Sequence, residues 1–367
     1  MKTTTYPSSG FDRLITILGT ISVAVLFCSC SGNSTDVVQQ AFELRLQGQA
    51  DSSRVLLEEA IAADSSNAAA WFELARTKHH IGLGNPRILF STMGELHEAA
   101  TRAVTNDPAN LTYAFYLGYV SYLNAYISFM GDQTTAQERV STTVAAFEQV
   151  LKLQPDYLEP RLFLVELLSV PAGMGGDSLR AEQYAAELEA MDAIMGAKAR
   201  ELLLPEEGDR VDYWEQILKK YPEDAAVIEQ LGKAYLYQEK VAEGMQQLEL
   251  AYKTAPDRQM LLLDMARFYL MTSRQDETQS TTVLPRAASA INRYLETMPL
   301  PPLRAFALSM LAWTQDGLGA LEEATQLRVE AQELDPNVSK TFGIPPALLF
   351  SGLDEVSHYH SFFFRPF

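Results

Sequence analysis

Residues 225–258 read AAVIEQLGKAYLYQEKVAEGMQQLELAYKTAPDR, and the rest of the sequence repeats this 34-residue stretch less neatly. Ile228, Leu231 and Tyr235 recur at helical spacing and, with Leu248 further on, form one apolar stripe. Gly232 and Ala251 are small where two helices would cross, and only a small side chain lets the backbones approach there. Gly244 fills the first small position of the second helix. Pro256 lacks an N–H and cannot continue that helix, so it ends the unit. The stretch therefore predicts a helix–turn–helix hairpin. Such a hairpin cannot bury its own apolar faces, which requires neighbours on both sides.

The neighbours are legible. Residues 37–67 form a first unit, with Gly48 between helices and Ser53, Leu57 and Ala60 in the second. Residues 68–110 follow, marked by Trp71, Leu74, Ala75 and Ala103 and ended by Asp107-Pro108. Residues 82–94 add about ten positions to that unit. The third unit, 111–157, carries Leu117-Gly118 in a long aromatic helix reaching about Phe129. The fourth starts at Leu158 and holds the loop Pro171–Asp177 before a helix over 178–191. Residues 191–224 close at Tyr221-Pro222, and the quoted unit follows. Residues 259–299 contain a polar insertion at 273–282, and 305–336 complete about eight units, more than the three or so a stable stack needs.

These slots resemble tetratricopeptide repeats (TPR). The resemblance spans residues 36–338 and implies an all-α, right-handed superhelical solenoid of about eight hairpins, enlarged in its N-terminal half. It implies the fold far more than the function, since such repeats hold many different partners. The expected domains are 1–29 (signal), 30–36 (polar tether), 37–338 (solenoid) and 339–367 (C-terminal cap or tail).

Charge narrows the function. The sequence has 47 Asp+Glu against 29 Lys+Arg, a formal net charge of −18. Nucleic acid requires a basic footprint, so a nucleic-acid partner is not expected. At the N-terminus, Lys2 and Arg13 precede an apolar run, Leu14–Phe27, shorter than the roughly 20 residues of a membrane span. The run ends in Phe27-Cys28-Ser29-Cys30-Ser31-Gly32 and resembles a bacterial lipoprotein signal. Cys30, preceded by the small Ser29, fits the lipidated position better than Cys28, preceded by Phe27. Phe27 itself stands three residues before Cys30, where such signals usually carry Leu. Lipidation of Cys30 is the expectation, with ordinary signal cleavage or an uncleaved anchor as the alternatives. It would place the protein in the bacterial cell envelope, on a membrane through its N-terminal lipid, facing the periplasm or the exterior. Cys28 and Cys30 are the only cysteines, so the mature domain has no disulfide.

Nothing in the sequence spells catalysis. There is no nucleophile elbow and no Ser-Asp-His arrangement, and carboxylates pair only as helix charges. His79, His80 and His97 flank one insertion, but adjacent histidines point to different helix faces and no metal motif accompanies them. No cofactor or metal is expected. The loop Gly173-x-Gly175-Gly176-Asp177-Ser178 admits a phosphate reading, with Arg180 near, but lacks the Lys-Ser/Thr of a phosphate loop. Asp177 or Ser178 capping the next helix is the simpler account.

The TPR resemblance implies that the first helix of each hairpin lines the concave face. The lining slots are then Phe72, Glu73, Arg76 and His79; Phe115, Tyr116, Tyr119 and Tyr122; Leu162, Phe163 and Glu166; and Glu229, Gln230, Lys233 and Tyr237. Phe72, Arg76, His79, Phe115, Tyr116, Tyr119, Tyr122 and Phe163 are the candidate groove residues. An aromatic stripe at helical spacing is core or ligand wall, and the sequence leaves both open. The expected function is a non-enzymatic scaffold holding a protein or peptide in the concave groove. The alternative is a small-molecule-binding component of a solute transporter of the tripartite (TRAP) kind, which exported helical-repeat lipoproteins also resemble. An open groove points to the first and an enclosed pocket to the second.

Overall fold

The computed structural model describes residues 34–83, 86–130, 133–205 and 207–338. The leader with Cys30 and the tail 339–367 lie outside them. Sixteen α-helices and no strand occur among the described residues. They pair in sequence: α1 (Ser34–Leu46) with α2 (Ala50–Ala63), α3 (Ala68–Leu83) with α4 (Pro86–Asn106), α5 (Leu111–Met130) with α6 (Ala136–Leu153), and α7 (Glu159–Leu168) with α8 (Ser178–Met191). There follow α9 (Ala193–Leu202) with α10 (Arg210–Lys220), α11 (Ala225–Tyr237) with α12 (Val241–Thr254), α13 (Met260–Gln275) with α14 (Ser280–Leu295), and α15 (Pro301–Gly317) with α16 (Leu321–Leu334). The all-α solenoid and its eight hairpins are as the sequence predicts. Helix α1 starts at Ser34, so the end of the 30–36 stretch is helix rather than tether.

Proline and aspartate set the boundaries. Helices α4, α6, α10, α12 and α16 each end two residues before a proline, namely Pro108, Pro155, Pro222, Pro256 and Pro336. The proline ring disfavours helical geometry in the residue before it. Gln154, Ala255 and Asp335 accordingly have φ near −138°, −137° and −151° with positive ψ. At the other end, Asp177, Asp192, Asp209 and Asp224 cap α8, α9, α10 and α11 by accepting hydrogen bonds from backbone N–H groups of the first turn.

The odd-numbered helices form an inner row. Partners within a hairpin pack extensively, except α9 and α10, which pack chiefly on α8 and on α11; α1 also touches α3, α5 touches α7, α7 touches α9 and α13 touches α15. Successive even-numbered helices make no comparable contact, so the stack curves with the odd helices inside. Burial agrees. In α11 nearly every residue from Val227 to Leu236 is buried, whereas α12 buries only the stripe Gly244, Met245, Leu248 and Ala251. The close approach in the quoted unit joins Gly232 to Gly244. A Cβ on Gly232 would stand 3.0 Å from Leu248 and 3.1 Å from the Gly244 carbonyl oxygen, and one on Gly244 2.5 Å from Leu236. Sequence spacing places Ala251 at that crossing; Ala251 is buried, but Gly244 is the partner. The described residues of the 82–94 stretch are helical: α3 runs to Leu83 and α4 starts at Pro86.

The end of the eighth hairpin returns to the first two. His80 Nε2 and Asp335 Oδ2 lie 2.6 Å apart with both side chains 3% exposed. Asn337 Nδ2 donates to Asp51 Oδ2 at 3.0 Å. Gly48, at φ +81°, packs so closely on the end of α16 that a Cβ there would stand 1.9 Å from the Leu334 carbonyl oxygen. Residues 255 apart in sequence thus share one seam.

Gly232→Leu is expected to lower unfolding free energy by roughly 1–3 kcal/mol or more, because a branched side chain is forced between α11 and α12. Chemical denaturation of the wild type and the variant measures it, and an unchanged midpoint would contradict this packing.

Candidate functional site

The inner row holds the candidate groove residues, and the structure buries all eight. Phe72, Arg76, His79, Phe115, Tyr116, Tyr119, Tyr122 and Phe163 are between 1% and 5% exposed. Their rings meet around Phe163, which stacks on Phe147 of α6 at 4.9 Å and 13°. Tyr122 meets it edge-on at 5.0 Å, and Tyr119 and Phe115 both at 6.2 Å. Phe72 meets Tyr116 edge-on at 5.4 Å. These aromatics belong to the largest apolar cluster of the N-terminal half and are not an open wall. The aromatic residues sit where consecutive inner helices converge, and the bulk needed to fill that space is what the sequence shows as a stripe.

Polar groups are embedded in this cluster. His79 Nδ1 and the Tyr116 hydroxyl are hydrogen-bonded at 3.1 Å, and Glu166 is hydrogen-bonded to Tyr122. Burial raises the Tyr116, Tyr119 and Tyr122 phenols above their ordinary range, and Glu166 adds to the rise at Tyr122. Arg45 of α1 donates from Nε to Glu73 Oε1 at 2.6 Å, with both side chains fully buried. Arg76 stands 3.8 Å from the same carboxylate and lies over the Phe42 and Phe72 rings at 5.5 and 5.2 Å. Two guanidinium groups thus share one carboxylate. Burial, then the Arg45 charge, brings the Arg76 guanidinium down to about 10. Burial, then His80 and Arg45, lowers the His79 imidazole to about 3, so it is neutral at pH 7.

A second polar group spans α9, α11 and α13. Lys198, on α9, is 2% exposed. Glu229, on α11, pairs with Lys233 four residues on and with Arg258 from the α12–α13 turn. Asp264 on α13 pairs with Arg267 at 3.5 Å. Burial alone would push the Glu229 carboxyl up, but Lys233 and Arg258, with Lys198 behind them, bring it down to about 2. Burial lowers the Lys198 ammonium to about 8, with Glu229 opposing and Lys233 and Arg258 reinforcing the fall. Glu229 and Lys233 were legible as lining slots, and Leu162, Phe163 and Glu166 lie on α7 as expected. Lys198, Arg258, Asp264 and Arg267 were missed. Asp264 and Arg267 occupy the inner helix of the next hairpin, so a charge count over that helix would have found them. Tyr237, offered as lining, is 48% exposed beneath the Arg210 guanidinium at 4.9 Å.

Other candidates resolve into structure. The Asp177 carboxylate accepts from the Arg180 N–H at 3.1 Å and caps α8, while the Arg180 guanidinium donates to Glu148 at 2.6 Å. The first turn of α8 and its arginine are therefore already engaged. His79, His80 and His97 bond to Tyr116, Asp335 and Ser121, three different places. No group of three metal-ligating side chains occurs among the described residues.

Two consequences are measurable. Tyr119→Ala and Phe163→Ala are each expected to cost about 3–5 kcal/mol of stability, the range for truncating a large buried aromatic; losses under about 1 kcal/mol would return them to an exposed wall. Stability also depends on His79. Between its unfolded value of 6.5 and its folded value of about 3, the unfolded state binds a proton that the folded state refuses. Acidification through that window therefore destabilises, by at most about 1.4 kcal/mol per pH unit, and the loss ends below the folded value. Denaturation at pH 7 and pH 5 should show a smaller difference in His79→Gln than in wild type. The residual slope comes from groups such as His97, which burial also lowers.

No family model and no curated protein matches this sequence. Solved structures do. A tetratricopeptide repeat protein from Parabacteroides merdae is 14% identical over 77% of this protein and 98% of that one, with a TM-score of 0.43. Yeast Tom70 is 9% identical over 86% of this protein and 79% of its own length, with a TM-score of 0.35. Human IFIT1, solved as a dimer with PPP-AAAA, is 14% identical over 84% and 92%, with a TM-score of 0.32. All three likenesses are distant, and the solenoid of helical hairpins stands on this protein's own helix order and packing.

Proposed function

We propose that this protein is a non-enzymatic scaffold, lipid-anchored through Cys30 in the bacterial cell envelope, that holds an extended segment of a partner polypeptide on the inner row of helices. The carrying observation is the repetition of charged side chains along that row. Lys198, Glu229 with Lys233, and Asp264 with Arg267 come from three successive inner helices. Charged side chains repeated on successive inner helices suit a ligand that is itself a repeat of peptide units, with buried charges setting its register. The net charge of −18 argues against nucleic acid as the partner. A small-molecule ligand, as in a solute transporter's binding component, is the second reading. The seam at His80 and Asp335 favours it, because an inner face closed at that seam admits small ligands more readily than bulky ones.

The test uses the full-length protein in its own membrane. A photo-crosslinking amino acid at Lys233, whose side chain is 19% exposed on the inner row, should yield one discrete adduct with a protein. The same probe at Leu179, 82% exposed on an outer helix, should not. Adducts at both or neither would count against a polypeptide held inside. Mass spectrometry of detergent-extracted protein should find diacylglycerol on Cys30, and Cys30→Ala should release the protein from the membrane. A wild-type protein already soluble would remove the anchor from the proposal.

A further inference from the structure

The seam between the last hairpin and the first two differs in kind from the joints along the stack. Those joints are apolar. Hairpins 1 and 2 share one cluster, with Val38 and Ala41 of α1 against Ala70 and Leu74 of α3, and hairpins 6, 7 and 8 share another that runs to Ala331 and Val338. Neither cluster crosses the seam, and α16 packs on no helix of hairpins 1–3 on the scale on which it packs on α15. The described contacts across the seam are polar: the His80–Asp335 pair, the hydrogen bond from Asn337 to Asp51, and the Leu334 carbonyl against Gly48.

Each side of the seam is also built without the other. Asp335 Oδ1 accepts from the Asn337 N–H at 2.9 Å, and the Val338 N–H donates to the Asp335 carbonyl at 3.0 Å. The turn past α16 therefore holds its own shape and presents Oδ2 to His80. Opposite it, Gly48 at φ +81° donates to the Arg45 carbonyl at 3.1 Å, and Gln49 donates to that of Leu44 at 2.9 Å. Parting the two sides exchanges a few hydrogen bonds for water, at small net cost. Parting two hairpins elsewhere exposes an apolar cluster. Local opening follows the weaker joint. While the seam is closed, His80 and Asp335 are shielded from water, where their hydrogen bond is strong. The seam thus has two definite states, made and broken.

We propose that this seam is a clasp: the last hairpin parts from the first two while the joints along the stack stay closed, and the inner row is reached through the gap. Inner-row residues lie beside it. Arg45 stands three positions before Gly48 on α1, and Arg76 one turn before His80 on α3, both buried. The clasp itself stands on the seam alone. Its use in admitting a partner's segment rests on the polypeptide reading above. An internal stretch of a partner, with folded parts on both sides, cannot be threaded into a closed circuit; it enters when the clasp opens and is retained when the clasp shuts.

The experiment measures the gap in the detergent-solubilised full-length protein, with Cys28 and Cys30 replaced by Ser so that only introduced thiols react. Spin labels at Glu59→Cys and Glu333→Cys, exposed on α2 and α16, report the seam. Labels at Gln246→Cys and Ser289→Cys, exposed on α12 and α14, report a joint along the stack. Double electron–electron resonance should give one narrow distance for each pair. His80→Leu with Asn337→Ala removes both hydrogen bonds and leaves Asp335 buried without His80, which should raise the open fraction by roughly a hundredfold. The seam pair then gains a second, longer distance and the control pair does not change. Gly48→Ala, whose Cβ would meet the Leu334 carbonyl oxygen at 1.9 Å, props the seam by a different contact and serves if the double variant does not fold. Access is read separately, by mass spectrometry of Gln230→Cys, an inner-row position 4% exposed, after a pulse of a small or a bulky maleimide. With the clasp broken, labelling by the bulky reagent should speed up at least about tenfold, because modification of a protected site follows the open fraction. A seam pair as narrow in these variants as in the wild type would overturn the clasp, and so would broadening of both pairs together. A seam pair that lengthens with no gain for the bulky reagent would overturn the gap as the way in. None of these readouts uses a partner, so they stand apart from the crosslinking at Lys233 that decides the polypeptide reading.

Discussion

A helix on the inner side of a curved stack has neighbours on three sides: its own hairpin partner and the hairpins before and after. Helix α11 has α10 behind it and α12 as its partner, and it buries Val227 through Gly232 in an unbroken run. That confinement governs the rest of the structure. It requires a small residue where the partner crosses, met by Gly232 against Gly244, with almost no room left at either. It also forbids a charge from standing alone on the inner row. Charged side chains there come as networks, Arg45–Glu73–Arg76 at one end and Lys198 with Glu229, Lys233 and Arg258 further along. The outer helices, with one buried stripe each, are free of both demands, and the acidic surplus of the protein can sit there in water.

Much of this was legible because its causes are local. Prolines two residues past the helix ends stop α4, α6, α10, α12 and α16 by sterics that act on the preceding residue. Asp177 caps α8 from the position next to it; the sequence offered Asp177 or Ser178 as the cap and gave the helix its span of 178–191. What was not legible depends on partners far apart in the sequence. Gly48 reads as a turn glycine, which its positive φ makes it, but its lack of a Cβ also lets the carbonyl of Leu334 approach. His80 reads as one of two adjacent histidines, while its partner Asp335 lies in the last hairpin. Nothing within a 34-residue unit signals such a return.

The aromatic wall shows a different limit. Tyr116, Tyr119, Tyr122 and Phe163 have the spacing of a lining and the chemistry of a ligand surface, and both descriptions hold equally for a core between inner helices. Spacing cannot separate them, because core and lining lie on the same helices and differ only in how closely the next helix approaches. The rings that fill the space around Phe163 come from α5, α6 and α7 together, and α6 supplies Phe147, a residue no lining slot would include. The sequence does place the polar complement correctly: Glu166 lies four residues C-terminal to Leu162 on α7 and reaches Tyr122.

The two halves of the inner row are therefore built on different principles. Around α3, α5 and α7, space is filled by aromatic bulk, and polar groups survive there by neutrality or close pairing: His79 uncharged on Tyr116, Glu73 fully buried on Arg45. Around α9, α11 and α13 ion pairs take a larger part, Glu229 being held by Lys233 and Arg258, whose side chains still touch water. A buried aromatic cluster resists opening, since each ring lost from it costs several kcal/mol. The charged group is only partly at the surface: the Arg258 and Lys233 side chains are 30% and 19% exposed and that of Glu229 8%. The aromatic stripe, the most conspicuous pattern in the sequence, thus marks packed core between inner helices.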